Sequence, residues 1–253
     1  MKKILYPQGV RSLRVLTLLA VCAMLCSCNT DWGAMETINY PINGEYTALD
    51  ISNAFQVSVS VRETEQEQAA VVTIGEKAHQ YVQVEVKNGT LYIGMKKWNF
   101  VSNEKPTVVL PAGSTMDLEE LRLSGASSFN GTLFGDNPSM KVSGASRFDG
   151  TINGNADNLE VELSGASYAI LNGFCDGELK IDISGASVLD GTSFPCTKIN
   201  GEISGASHAD VVCCESLKVD ISGASELTYS TPSDECDLNV DCECSGASSV
   251  HSR

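Results

Sequence analysis

Five acidic residues recur at one position of a repeated segment and could bind a cation through their carboxylates. Each lies two residues before a Ser-Gly-Ala-Ser tetrapeptide, so extended backbone would direct all five side chains to one face. The row consists of Glu162, Asp182, Glu202, Asp220 and Glu243. Hard oxygen ligands suit Ca²⁺, which makes this row a speculative site for that ion; no other cofactor is expected. The alternative is a solvated acidic face, partly relieved by Lys180 and Lys218, because like charges in neighbouring strands repel.

The cysteines also repeat with the tetrapeptide, and their chemistry would be oxidation to disulfides. Four of them lie eight or nine residues before the next tetrapeptide, namely Cys175, Cys196, Cys214 and Cys236. This spacing predicts a column of cysteines about 4.8 Å apart, within the range of about 4.4–6.8 Å between Cα atoms that a disulfide requires. We expect one bridge between Cys175 and Cys196, and a second between Cys236 and either Cys213 or Cys214.

The first 28 residues have the pattern of an export signal. A basic segment precedes an apolar run from Val15 to Leu25, which is too short to span a bilayer as a helix. The run ends in Leu-Cys-Ser-Cys, which resembles the lipobox of bacterial lipoproteins. That resemblance implies lipidation of Cys28 and an outer-membrane lipoprotein, facing the periplasm or exposed at the surface. The alternative is an ordinary secretory signal cleaved near Ser27.

The tetrapeptide Ser-Gly-Ala-Ser itself sets the fold prediction. It occurs seven times, beginning at Ser124, Ser143, Ser164, Ser184, Ser204, Ser222 and Ser245. A nearly constant interval is typical of solenoid proteins, and the alternating apolar residues before each tetrapeptide predict strands with one buried face. We therefore predict an all-β protein with a parallel β-helix (β-solenoid) of about seven coils, each of about 20 residues. The tetrapeptide is expected to form a structural corner; the alternative gives its serines a chemical role.

The segment before the repeats is also rich in strand patterns. Val82, Val84 and Val86 alternate with polar residues, and Asn88-Gly89 then predicts a hairpin to the next apolar run. This region either caps the first coil as a small β-domain or forms irregular first coils itself. The expected division is a signal peptide (1–27), a tether (28–36), a β-rich N-terminal region or cap (37–115) and the solenoid (116–253).

Two strand positions near the C-terminus are expected to lie in the core. Cys242 and Cys244 follow the inward apolar periodicity, so we expect them to be small core residues. Only five residues follow the last tetrapeptide, ending at Arg253, and this end of the solenoid is thinly covered. We expect that end to dock on a partner or on a second copy of the chain.

Charge and composition argue against several classes of function. The formal net charge of −15 repels phosphate backbones, so a nucleic acid is not expected as a partner. The three histidines, His79, His208 and His251, lie at no recognisable metal-ligand or triad spacing. A polysaccharide lyase needs clustered Arg or Lys residues, and the basic residues of the solenoid are scattered. A glycoside hydrolase needs a pair of carboxylates, but on so acidic a face the presence of such a pair carries little information. An enzyme is therefore not expected.

Together these motifs resemble a known family. The lipobox, the Gly-Thr-Leu-Tyr-Ile segment from Gly89 to Ile93 and the repeating Leu-x-Leu-Ser-Gly-Ala-Ser from Leu121 to Ser127 are similar to the putative auto-transporter adhesin, head GIN domain family. The resemblance covers roughly residues 40–250 and implies an exported β-helix without a catalytic motif. We expect a lipid-anchored, adhesin-like binding module of the cell envelope with an envelope protein or a glycan as ligand. The alternative functions are a periplasmic scaffold acting through protein–protein contacts and, less favoured, a polysaccharide-active enzyme.

Overall fold

The structure, a computed structural model, describes residues 31–60, 68–96, 105–114, 118–153 and 157–253. Nineteen strands and one 3₁₀ helix, Glu76–Tyr81, make up the regular structure of these residues. The prediction of an all-β solenoid is confirmed. Within the part of the chain that is described, no helix has the length and apolar character needed to cross a membrane.

Eight of the nineteen described strands precede the first tetrapeptide and eleven follow it. The first seven are β1 (Met35–Pro41), β2 (Ala48–Ile51), β3 (Gln56–Val59), β4 (Ala69–Gly75), β5 (Val82–Lys87), β6 (Thr90–Met95) and β7 (Thr107–Leu110). The next six are β8 (Glu120–Leu123), β9 (Ser128–Phe134), β10 (Ser139–Val142), β11 (Arg147–Asn153), β12 (Asn158–Leu163) and β13 (Tyr168–Gly173). The last six are β14 (Cys175–Ile183), β15 (Val188–Ile203), β16 (His208–Ile221), β17 (Glu226–Ser230), β18 (Asn239–Cys244) and β19 (Ser249–Ser252).

Two parallel ladders run along the solenoid, one on each side of the tetrapeptide. The first ladder joins two strands of the N-terminal region to the strands that lead into the tetrapeptides, in the order β6, β2, β8, β10, β12, β14, β15, β16 and β18. The second ladder joins two N-terminal strands to the strands that leave the tetrapeptides, in the order β7, β3, β9, β11, β13, β15, β16, β17 and β19. The long strands β15 and β16 contribute to both, because each continues from one ladder into the other.

Each Ser-Gly-Ala-Ser tetrapeptide forms the corner between the two ladders. Its glycine has a positive φ, between 63° and 81° in the seven repeats, which a residue with a Cβ adopts only at a cost. The corners also touch: the Ala186 N–H donates to the Gly165 carbonyl of the preceding coil at 2.7 Å. Within a corner, the Ser187 hydroxyl donates to the Ser184 carbonyl at 2.9 Å. The backbone of each coil thus continues its hydrogen bonding through the turn, which gives these serines a structural role.

The region before the repeats forms coils and a cap together. Strands β2 and β3 make one coil and β6 and β7 make another, and both join the parallel ladders. The antiparallel strands β5 and β4 then cover the outer edges of β6 and β7, and β1 pairs with β4. The predicted hairpin across Asn88-Gly89 is present between β5 and β6. Strand β1 begins at Met35, within the segment expected to be a tether.

The core is a continuous row of inward side chains along the solenoid axis. Phe129 and Phe148 stack in neighbouring coils with ring centroids 5.9 Å apart, and both are buried. Their column continues through Ala169, Leu189 and the later coils, because the strands pair in register. Burying these apolar columns provides most of the stabilisation of the fold.

Candidate binding surface

The outer face of the first ladder carries the five acidic residues in one unbroken row. Register pairs join Glu162 to Asp182, Asp182 to Glu202, Glu202 to Asp220 and Asp220 to Glu243. We call this row the acidic ladder. Its last four members are exposed, and neighbouring rungs of a sheet are about 4.8 Å apart. The structure therefore holds four solvent-facing carboxylates in a line of regular spacing.

The acidic ladder is neutralised at one end only. Lys141 precedes it in the same column, and its Nζ lies 2.7 Å from Glu162 Oε1, which raises the pKa of the lysine. In the adjacent column Lys180 Nζ lies 2.6 Å from Glu160 Oε1. Among the described residues, the carboxylates of Asp182, Glu202, Asp220 and Glu243 make no hydrogen bond or ion pair. Repulsion between unit charges at about 4 Å is on the order of 1 kcal/mol in water, so a cationic ligand would relieve it.

Among the described residues, the carboxylates predicted to bind Ca²⁺ do not form a cluster of metal ligands. Within residues 31–60, 68–96, 105–114, 118–153 and 157–253, no three His, Cys, Asp or Glu side chains are arranged to hold a metal ion. The row places its carboxylates side by side along the sheet instead of converging them on one point. The Ca²⁺ hypothesis stays a prediction.

The second ladder carries a cluster that sequence spacing alone did not reveal. His208 Nε2 lies 3.2 Å from Asp210 Oδ2, and its Nδ1 lies 3.5 Å from Glu226 Oε2. His251 Nε2 lies 3.7 Å from Glu226 Oε1, and Arg253 lies 2.9 Å from Asp210. The register of the repeats could have revealed the cluster, because β16 and β17 place His208 beside Glu226, and β17 and β19 place His251 two residues further along.

This cluster does not have the geometry of a catalytic triad. Ser249 Oγ lies 3.1 Å from His251 Nε2, and the Glu226 carboxylate approaches the same nitrogen. A triad histidine accepts the nucleophile's proton on one ring nitrogen and is oriented by a carboxylate on the other. In His208 both nitrogens face carboxylates, so neither is directed at a hydroxyl or thiol.

A cleft of about 710 Å³ lies beside the N-terminal coils. Its lining residues are Ile42, Gly44, Glu45, Tyr46, Thr47, Gln68, Gly89, Pro111, Ala112, Gly113 and Ser114. The Tyr46 hydroxyl donates to the Ser114 carbonyl at 2.9 Å and so links two of the lining segments. No Cys, His, Lys or Arg belongs to the lining, and Glu45 is its single carboxylate among the described residues. The described lining therefore contains neither a pair of carboxylates nor a histidine or cysteine for acid–base or nucleophilic catalysis.

One of the two predicted disulfides is present. Cys214 and Cys236 are bonded, with 5.0 Å between their Cα atoms, which selects Cys214 over Cys213 as the partner. Cys213 is the neighbour that points inward and is fully buried. Because side chains alternate along a strand, only Cys214 faces outward toward the segment between β17 and β18 that contains Cys236.

The prediction of a bridge between Cys175 and Cys196 is wrong for this structure. Both thiols are free and buried, although β14 and β15 pair the two residues in register. Paired positions of a parallel ladder project in the same direction, so their Cβ atoms stay about 4.8 Å apart, whereas a disulfide needs about 3.8 Å. Their hydrogen bond lowers the pKa of the Cys175 thiol to about 7 and raises that of Cys196 far above its ordinary range. Cys28 lies outside the described residues.

The core positions expected for Cys242 and Cys244 are also corrected. Cys242 is half-buried and Cys244 is exposed. Both point toward the solenoid axis, but β18 belongs to the last coil, and no further rung covers it among the described residues.

Comparisons with known proteins agree with this architecture. A putative adhesin from Bacteroides fragilis has a similar structure, with a TM-score of 0.71, 15% identity, and coverage of 87% of this chain and 97% of that chain. A putative lipid binding protein from Parabacteroides distasonis is similar with a TM-score of 0.59 and 20% identity, covering 87% of this chain and 97% of that chain. A putative adhesin from the same species is similar with a TM-score of 0.58 and 16% identity, covering 87% of this chain and 98% of that chain. At such identities these similarities establish a shared fold.

The sequence comparison is more specific. No curated protein matches the chain. The family model for the putative auto-transporter adhesin, head GIN domain, matches residues 45–232, which include both N-terminal coils and six of the seven tetrapeptide corners. Because that match spans most of the solenoid, the chain belongs to the putative auto-transporter adhesin, head GIN domain family.

Proposed function

We propose that this protein is a lipid-anchored, non-catalytic binding module of the cell envelope that acts as an adhesin. The observation that supports it best is the acidic ladder, whose last four carboxylates are exposed and have no cationic partner among the described residues of the sheet. A ligand with positive charges at regular intervals, such as a basic protein surface or an amino-sugar glycan, would bind there at little cost in ordering the protein. Membership of an adhesin-like family supports a location at the envelope.

An array of glycans and matrix proteins tests this proposal. The double substitution Asp182→Asn with Glu202→Gln removes two charges from the middle of the acidic ladder. The matched control, Asp176→Asn with Glu215→Gln, removes two exposed charges outside the ladder. We expect a ligand of the unsubstituted protein to be lost or weakened at least tenfold by the ladder variant and retained by the control. A blank array, or equal loss in both variants, would count against ligand binding by the ladder.

The anchor is tested separately. We expect Cys28→Ala to abolish incorporation of a labelled fatty acid and to release the protein from the membrane fraction, because the resemblance to a lipobox assigns lipidation to that last cysteine of Leu-Cys-Ser-Cys. Protease treatment of intact cells then separates an adhesin from the alternative, a periplasmic scaffold. An adhesin must be cleaved from outside, whereas a scaffold beneath the outer membrane stays intact until the cells are lysed.

A further inference from the structure

The last coil leaves one end of the solenoid unpaired. Strand β18 pairs with β16 and β19 pairs with β17, and neither has a second neighbour among the described strands. The opposite end differs, since antiparallel β4 and β5 cover the coil of β6 and β7 there. Every second N–H and C=O group of β18 and β19 therefore points away from the ladders, and such an edge is a template for another strand.

The inward side chains of this coil are also uncovered. Val240 is 39% exposed, whereas Leu217, its register partner on β16, is 0% exposed. Cys244 is exposed, whereas its partner Ile221 is fully buried. These side chains occupy core positions of the repeat but lack the next rung, so an added strand with apolar residues at alternate positions would complete the core.

The outward side chains of β18 determine the charge that such a strand needs. Asp241 and Glu243 are exposed and continue the two charged columns of the first ladder. Earlier in these columns, a cation on a neighbouring rung forms the ion pairs described for Lys141 and Lys180. A basic residue on the next rung would face Asp241 or Glu243 in the same way.

A second copy of the chain fits this edge poorly. If two β18 strands paired antiparallel with their apolar residues on the same side, the central registers would place Asp241 or Glu243 of one chain opposite an acidic residue of the other. Like charges directly opposite in a sheet are destabilising. The charge pattern therefore favours a different polypeptide.

We propose that the C-terminal coil binds an extended segment of a partner protein in which apolar and basic residues alternate, and that this segment joins the sheet as an additional strand. Backbone hydrogen bonds to β18 would provide affinity, and the uncovered apolar positions and the two carboxylates would provide specificity. This surface is the end of the solenoid, distinct from the middle of the acidic ladder, so either proposal can fail without the other.

The test uses full-length protein and three labelled ten-residue peptides. The first alternates valine and lysine; the second has glutamate in place of lysine; the third keeps every lysine but has two central valines replaced by proline, which cannot join a ladder. By fluorescence anisotropy we expect the first peptide to bind at least tenfold more tightly than the other two. It should also slow alkylation of Cys244 by iodoacetamide at least fivefold. Equal binding of the proline peptide would overturn the proposal.

Charge-reversed variants separate this edge from general attraction to an acidic protein. Asp241→Lys with Glu243→Lys should reverse the preference between the lysine and glutamate peptides. Asp176→Lys with Glu215→Lys changes the net charge equally at exposed positions outside both β18 and the acidic ladder, and should keep the preference. An equal loss of binding in both variants refutes the proposal. Protection of Cys244 in concentrated protein without peptide would identify a second copy as the occupant, and would overturn it too.

Discussion

Replacing one corner glycine by alanine probes the close stacking of the coils. An ideal Cβ on Gly185 would lie 2.3 Å from the carbonyl oxygen of Gly165 in the preceding coil, and φ there is +78°. Gly89, in the hairpin turn, has nearly the same φ of +76° but no atom within 4 Å of its Cβ position. The two sites share the backbone cost of a left-handed alanine and differ in crowding.

The magnitudes follow from these two costs. A left-handed conformation costs an alanine about 1–2 kcal/mol, so we expect Gly89→Ala to lower the free energy of unfolding by that amount. At Gly185 the Cβ also displaces the Gly165 carbonyl, which accepts the Ala186 N–H at 2.7 Å. Losing that bond and leaving a carbonyl without a partner adds about 1–3 kcal/mol. We therefore expect Gly185→Ala to cost about 2–5 kcal/mol in total.

The assay is urea unfolding followed by circular dichroism, with the denaturant slope checked to be unchanged between variants. Gly246→Ala is a useful third variant. Its Cβ would lie 2.7 Å from the Gly223 carbonyl, but the last coil can move outward because no rung follows it in the described chain. We expect a loss between those of the other two. If Gly185→Ala and Gly89→Ala differ by less than about 0.5 kcal/mol, the coils are not held by corner stacking and the reasoning is refuted.

Three further predictions concern the cysteines and the charged columns. Cys214→Ser opens a cross-link with a sequence separation of 22 residues and should cost about 3 kcal/mol in urea unfolding, a difference that a reductant removes. Cys196→Ala should raise the pKa of Cys175 from about 7 toward its ordinary value, seen as a shift in thiolate absorbance at 240 nm. Because the folded state favours that thiolate, its stabilisation is present above the ordinary thiol pKa and is lost as pH falls through about 7; the variant should lack this rise in stability between about pH 7 and 8.5. Lys141→Glu replaces a half-exposed ion pair with repulsion against Glu162 and should cost about 0.5–1 kcal/mol, less in high salt.

The repeat made the register of the solenoid predictable, but it did not show what covers each side chain. The position of Cys244 relative to its tetrapeptide correctly indicates that its side chain points toward the axis. Burial, however, requires another rung, and the periodicity contains no information about that rung. The Cys175–Cys196 prediction was wrong for a related reason, since a row of in-register residues fixes the Cα spacing while a disulfide depends on the direction of the Cβ atoms.

Other parts of the site were missed because distances along the chain were used where register was needed. His208 and His251 are separated by more than forty residues, yet they approach the same Glu226 because they occupy outward positions of the two coils on either side of it. The arrangement of the N-terminal coils was not predictable from the repeat at all. Residues 37–115 contain no tetrapeptide, so their sequence patterns predict strands but not the order of those strands in the sheet.

The order of the first coils in space has a consequence for how the molecule is made. The coil of β2 and β3 is synthesised first but lies between the coil of β6 and β7 and that of β8 and β9. It therefore cannot pair on both sides until the chain has been synthesised as far as β9, and we expect these distant contacts to form more slowly than local ones. Each later coil adds to an edge that already exists. A gene could accordingly gain or lose whole repeats at the C-terminal side, whereas a change in the number of N-terminal coils would alter the interleaved strand order that the later coils extend.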